Sequence, residues 1–130
     1  MTQLPSPDSQ PGLKDANLPP QADIALLRIL DANGNRAAEG LRVVEDFSRF
    51  ALNDKHLAAL CKQLRHELTQ ALNLVPVEIR LIARDTLGDV GATITESAEQ
   101  YRKDAWHVAT ASASRVQQAL RCLEEYSKPL

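Results

Sequence analysis

The stretch from Asp31 to Phe50, DANGNRAAEGLRVVEDFSRF, combines helix periodicity with charge where a plain core helix would carry none. Ile29, Ala32, Val43, Phe47 and Phe50 recur at helical spacings and mark one stripe. Arg36 lies seven residues after Ile29 and seven before Val43, so the three share a face. A guanidinium keeps its charge on such a stripe and must find anionic partners. Two chemistries satisfy it. One is an internal ion pair, with Glu39 one turn on or with a carboxylate of another helix. The other is a site for an anionic ligand, with Asn33, Asn35 and Glu39 as polar neighbours.

A second constellation follows at RDTLGDVG, which carries Arg84, Asp85 and Asp89. Arginines fit phosphate oxygens bidentately, and one or two carboxylates can hold a magnesium ion shared with substrate phosphates. The mix suits a phosphorylated ligand with Mg2+. The turn from Gly88 to Gly91 could also offer backbone N–H groups to an anion, although an ordinary polar turn explains it equally well. The chain has no Walker sequence, no GxGxxG and no serine or cysteine nucleophile motif.

Arg36 has a counterpart. The segment ANGNRAAEGLRVVEDFSR (residues 32–49) matches ASASRVQQALRCLEEYSK (residues 111–128) without gaps. Ala32/Ala111, Arg36/Arg115, Leu41/Leu120, Arg42/Arg121, Glu45/Glu124 and Ser48/Ser127 are identical. Shared periodicity alone makes amphipathic helices resemble one another, but it does not explain an arginine at the same place in both stripes. In an up-down-up bundle the first and last helices run parallel, which would set Arg36 and Arg115 at similar heights. Two such cations would call for an anion between them.

The elements that position these groups read as helices. Residues 1–21 hold five prolines and few large apolar side chains, the composition of a disordered leader ahead of a single helical domain over 22–130. Asp23 is a good N-cap for a first helix running to about Ala51, with Gly34 and Gly40 marking close approaches. Asn53 and Asp54 stop it and cap a second helix, whose seam of Leu57, Leu60, Cys61, Leu64 and Leu68 ends near Pro76. Residues 75–81 alternate like a strand, yet a lone strand leaves its backbone unpaired, so a short helix from Pro76 to about Arg84 is preferred. Two capping-box patterns, Thr93–Glu96 and Ser97–Gln100, place the start of a last helix that runs to about Ser127. The expected architecture is an all-α bundle of three long helices plus one short helix, the first and last long helices related by the weak repeat.

Composition narrows the partners. A net charge of −2 in 130 residues disfavours nonspecific nucleic-acid or anionic-membrane binding. No apolar run approaches a membrane span or signal core, which suggests a cytoplasmic protein. Cys61 and Cys122 read as buried free thiols, and the three histidines show no zinc spacing. Wide apolar arcs that include Leu27 and Leu41 suggest a homo-oligomer.

RILDANGNRAAEGLRVVEDFSRFAL (residues 28–52), KQLRHEL (62–68), ARDTLGDVG (83–91) and ASRVQQALRCLEEYSK (113–128) together resemble the small helical hydroxymethylpyrimidine phosphate kinase of thiamine biosynthesis. This is the strictly monofunctional type, often fused ahead of thiamine phosphate synthase. The resemblance runs in order over most of residues 23–128. It departs in the last helix, where Ser112 and Ser114 stand in place of asparagines. It implies transfer of the γ-phosphoryl group of ATP to 4-amino-5-hydroxymethyl-2-methylpyrimidine phosphate, with Mg2+. Arg36, Arg84 and Arg115 would then hold phosphates and Asp85 or Asp89 the metal. Asn33, Asn35 and Glu39 would hold the aminopyrimidine or order the arginines. The partners implied are a small phosphorylated pyrimidine and a thiamine phosphate synthase domain. A noncatalytic module that binds a thiamine precursor or tethers a synthase is the rival reading.

Overall fold

The computed structural model describes residues 21–130 apart from Thr86, and every regular element among them is helical. Helix α1 spans Gln21–Asp46 and continues as a π-helical turn, Phe47–Ala51. Then come α2 (Lys55–Leu72), α3 (Val77–Ala83), α4 (Ser97–Gln100) and α5 (Ala105–Ser127). The all-α class is the expected one. The expected leader over residues 1–21 lies outside the described residues except Gln21, which already opens α1, two residues before Asp23.

Local chemistry accounts for the boundaries. Asn53 takes a left-handed φ of 52°, and the Asp54 carboxylate accepts the Leu57 N–H at 2.9 Å to start α2. Pro76 caps α3, which ends at Ala83. At the paired capping-box patterns there is only the single turn of α4, whose N-cap is Glu96 and which has no side-chain capping bond. The long helix starts later, where Asp104 accepts the His107 N–H at 2.7 Å. There are thus two short helices instead of one, because a capping signal with no apolar face behind it gains too little from packing to propagate. In the π-helical turn, the Ser48 hydroxyl donates to the Val44 carbonyl at 2.9 Å and the Leu52 N–H reaches back to Phe47 O at 3.0 Å, widening the ladder.

Helix α1 is the hub on which α2, α3 and α5 each pack. Gly34 meets Leu72 at the far end of α2, while Glu45 meets Arg65, so α2 runs antiparallel to α1. Helix α5 is antiparallel as well: Gly40 abuts Val116, and the Phe47 and Trp106 rings lie 5.7 Å apart. This corrects the expected parallel arrangement of first and last helices. Residues 73–104 are long enough to return the chain along α1 before α5 begins, so simple up-down alternation does not apply. The repeat-mates Ala37/Val116 and Gly40/Ala119 all lie in the α1–α5 contact, which relates the two segments by an approximate two-fold axis.

The core is Ala37, Leu41, Leu68, Val116 and Ala119, with Leu72 and Leu123 against it. Small residues set the spacing: a methyl group on Gly40 would stand 2.6 Å from Val116 Cγ2 and 3.1 Å from the Ser112 carbonyl. Leu27 and Leu41 are buried within the chain, so they do not extend an exposed arc as expected. Cys61 is a buried free thiol and Cys122 a half-buried one. No helix among the described residues is long and apolar enough to cross a membrane.

Candidate functional site

Two acids sit on the buried face of α1, fourteen residues apart and therefore nearly in line. Asp31 is 4% exposed and Glu45 8%. Each is met by an arginine from another element: Arg84 Nε and Nη2 donate to the two oxygens of Asp31 at 2.6 and 2.9 Å, and Arg65 Nε and Nη2 donate to Glu45 Oε2 at 2.8 and 2.7 Å. The internal ion pairs considered for Arg36 thus exist on α1, with the acids on the helix and the arginines supplied from outside. Burial, aided by the neighbouring Glu45 carboxylate, pushes the Cys61 thiol pKa up.

Arg36 itself is exposed, and Ile29 and Val43 are only half-buried. The stripe that they share is an edge, because α2 and α5 close on either side of Ala37, one residue round the helix. That edge forms the wall of an open cleft of about 580 Å³ between the first half of α1 and the loop after α3. Arg28, Asp31, Asn33, Asn35, Arg36, Arg84, Asp85 and Asp89 line it, with Ala25, Ile29 and Ala32 as its apolar floor.

Its parts are held in place from within. The Asn33 amide donates to the Ile29 carbonyl at 2.9 Å, and its oxygen accepts from Arg36 Nη1 at 3.5 Å, so Asn33 orients Arg36. Asn33 is 5% exposed, whereas Asn35 faces solvent in the cleft. Arg28 Nη2 donates to the Asp85 carbonyl at 3.3 Å, a second tie between α1 and the loop. Hydrogen bonding to Asp31, reinforced by its charge, raises the Arg84 pKa, and the guanidinium stays a fixed cation.

Three guanidinium groups and three carboxylates therefore converge without an aromatic wall. Asp31 is committed to Arg84. Asp85 Oδ1 and Asp89 Oδ1 accept the N–H groups of Gly88 and Gly91, each at 2.8 Å. This corrects the expectation that those glycines offer N–H groups to an anion, since the aspartates already take them in short Asx-type turns. Asp85 and Asp89 each keep a second oxygen. Two such oxygens beside a phosphate ligand fit the donor set that magnesium prefers. Among the described residues no group of three or more His, Cys, Asp or Glu gathers in metal-holding geometry.

Two expected members lie elsewhere. Arg115 is exposed on α5, which contributes nothing to the cleft, and the antiparallel direction of α5 removes the reason for pairing it with Arg36. Glu39 is exposed one turn beyond the cleft. Conversely, Arg28 and Asp31 belong to the cleft and were not among the expected residues. The signal for Asp31 was available: it occupies an apolar position in the series Leu27, Asp31, Gly34, Ala38, Leu41.

Residues 28–130 match the family model described as the ThiD2 family. The chain belongs to the ThiD2 family. This ThiD2 chain is 50% identical over 103 residues to a thiamine-phosphate synthase of Rhodopirellula baltica, covering 79% of the chain and 28% of that protein. Identity to a thiamine-phosphate synthase of Synechocystis sp. is 50% over 104 residues, covering 80% and 29%. Against that of Nostoc punctiforme it is 47% over 108 residues, covering 83% and 30%. The chain spans less than a third of the length of these curated relatives. No solved structure matches it. These relationships tie the ThiD2 chain to thiamine biosynthesis.

Proposed function

We propose that the chain is a kinase that transfers the γ-phosphoryl group of ATP to 4-amino-5-hydroxymethyl-2-methylpyrimidine phosphate, giving the diphosphate. The observation that supports it most is the meeting of Arg28, Arg36 and Arg84 with Asp85 and Asp89 in one cleft. In the reaction an acceptor phosphate oxygen forms a bond to the γ-phosphorus as the bond to the β-bridging oxygen breaks, releasing ADP. The acceptor is a phosphate monoester with a second pKa near ~6, so it is largely ionised at neutral pH and needs no strong base. What remains is relief of charge repulsion and in-line placement.

The chain's own residues suit that task. Arg36, held by Asn33, and Arg84, held by Asp31, present guanidinium edges to phosphate oxygens. Asn35, which lines the cleft, would hydrogen-bond the aminopyrimidine. Asp85 and Asp89 would hold Mg2+ through their second oxygens, and the metal would neutralise charge on the polyphosphate. A cytoplasmic location is part of the same reading.

The rival is a noncatalytic module working beside a thiamine phosphate synthase, favoured by the names of the longer relatives. One assay separates the two. Purified chain with the pyrimidine monophosphate, ATP and Mg2+ is expected to form ADP and the pyrimidine diphosphate. No ADP above the rate without acceptor would refute the kinase reading. Arg36→Ala at full activity would remove the assigned site.

A further inference from the structure

Helix α3 is built inside out. It turns Arg80 and Ala83 towards α1, with Arg80 9% exposed and its Nε donating to the Val75 carbonyl at 3.2 Å. Its apolar side chains stand in water instead: Val77 is 46% exposed, Leu81 50% and Ile82 49%. Leu74, at 86%, extends the stripe, since 74, 77 and 81 recur at helical spacing. The following loop adds Leu87 and Val90, at 101% and 91%. Monomeric soluble chains seldom leave a patch this large uncovered.

We infer that this face binds a second copy of the chain. If a partner covered all six residues, the area it buried would approach the roughly 800 Å² that one partner contributes to a standard-size interface. Along α3, between Leu74 and Ala83, the only exposed charge is Glu78, and the loop part of the face carries the exposed Arg84 together with Asp85 and Asp89. Two copies pairing along α3 across a two-fold axis therefore bring little like charge together there. The face continues into the loop that carries Asp85 and Asp89, so pairing would brace one wall of the cleft. The inference stands on exposure and charge and does not require the kinase reading.

Sedimentation equilibrium of the whole chain between about 1 and 100 μM is expected to give twice the 14.3 kDa chain mass at the upper end. Leu81→Glu and Val77→Lys should each give the single-chain mass with unchanged helical circular dichroism. Leu64→Glu, on the separate exposed stripe of α2, should leave the dimer intact. Hydrogen exchange on the unaltered chain needs no variant, and amides 77–83 should exchange at least ~10-fold more slowly at the upper concentration. The inference is overturned by a monomer at about 100 μM, which would leave the face to another occupant such as the remainder of a longer relative. It is also overturned if Leu64→Glu dissociates the dimer and Leu81→Glu does not, or if exchange at 77–83 ignores concentration.

Discussion

Asp31 and Arg84, 53 positions apart, are joined by two hydrogen bonds of 2.6 and 2.9 Å, the fork of the guanidinium matching both carboxylate oxygens. The pair, with the Arg28–Asp85 bond, ties the loop after α3 to the first half of α1, and those two segments form the cleft walls. Lysine in place of Arg84 keeps the charge and loses the fork. On the proposed kinase reading, Arg84→Lys should raise KM for the pyrimidine monophosphate about 10-fold or more, with a smaller change in kcat. Steady-state kinetics at saturating ATP checks it.

The second buried acid makes a stability prediction. Arg65→Ala leaves Glu45 buried with no cation, at a cost of about 2–3 kcal/mol. Replacing both residues with apolar ones of similar size should recover most of the loss, because no stranded charge remains. Urea denaturation of the two single variants and the double variant measures the coupling.

Gly34 and Gly40 should respond differently to alanine. At Gly40 the added methyl meets Val116 and the backbone carbonyl of Ser112, which cannot move without shifting α5. Gly40→Ala should cost about 1–3 kcal/mol, seen as a lower thermal midpoint. At Gly34 the obstacle is the end of the Leu72 side chain, at 2.7 Å. A rotamer change there, offset by about 1 kcal/mol of helix propensity, should leave Gly34→Ala close to neutral.

Cys61 links the core to pH. Its pKa is raised above the ordinary thiol value of 9.0, so the folded chain holds that proton more tightly than the unfolded chain. The associated stability is complete below the unfolded thiol pKa and is lost as pH rises through the folded value. Unfolding midpoints should therefore fall above about pH 9, and Cys61→Ala should flatten that fall. Alkylation followed by mass spectrometry should modify Cys122 before Cys61.

Arg115 provides a negative control for the proposed site. It matches Arg36 in the repeat but lies outside the cleft, so Arg115→Ala should leave the kinase rate within about twofold. For Arg36→Ala we expect a loss of about 100-fold in kcat/KM.

Much was legible in the residues alone because it depends on near neighbours in the chain. The helix start at Asp54, the stop at Asn53 and the short helix after Pro76 are all decided by backbone chemistry within a few positions. The capping patterns at residues 93–100, by contrast, place the start of the last helix too early, since its cap is Asp104. The close approaches at Gly34 and Gly40 were readable because glycine inside a helix needs a reason to be there. The loop RDTLGDVG and Arg36 could be picked out by residue type, and they do meet in one cleft.

Other features depend on direction and on partners distant in sequence. The repeat suggested that Arg36 and Arg115 act together, but a repeat is silent about whether its copies run parallel or antiparallel. The long passage through α3 and α4 turned α5 round and carried Arg115 away. Periodicity likewise placed Arg36 on a stripe without saying which part of the stripe the neighbouring helices would cover. Asp31 showed the reverse, since its place in an apolar series had no stated meaning until Arg84 arrived from 53 positions away. Sequence alone determined the helix boundaries set by near neighbours, at Asn53, Asp54 and Pro76, and picked out Arg36 and Arg84 by residue type. Only the tertiary structure decided which of those residues face one another, because that depends on the hub position of α1 and on which elements close around it.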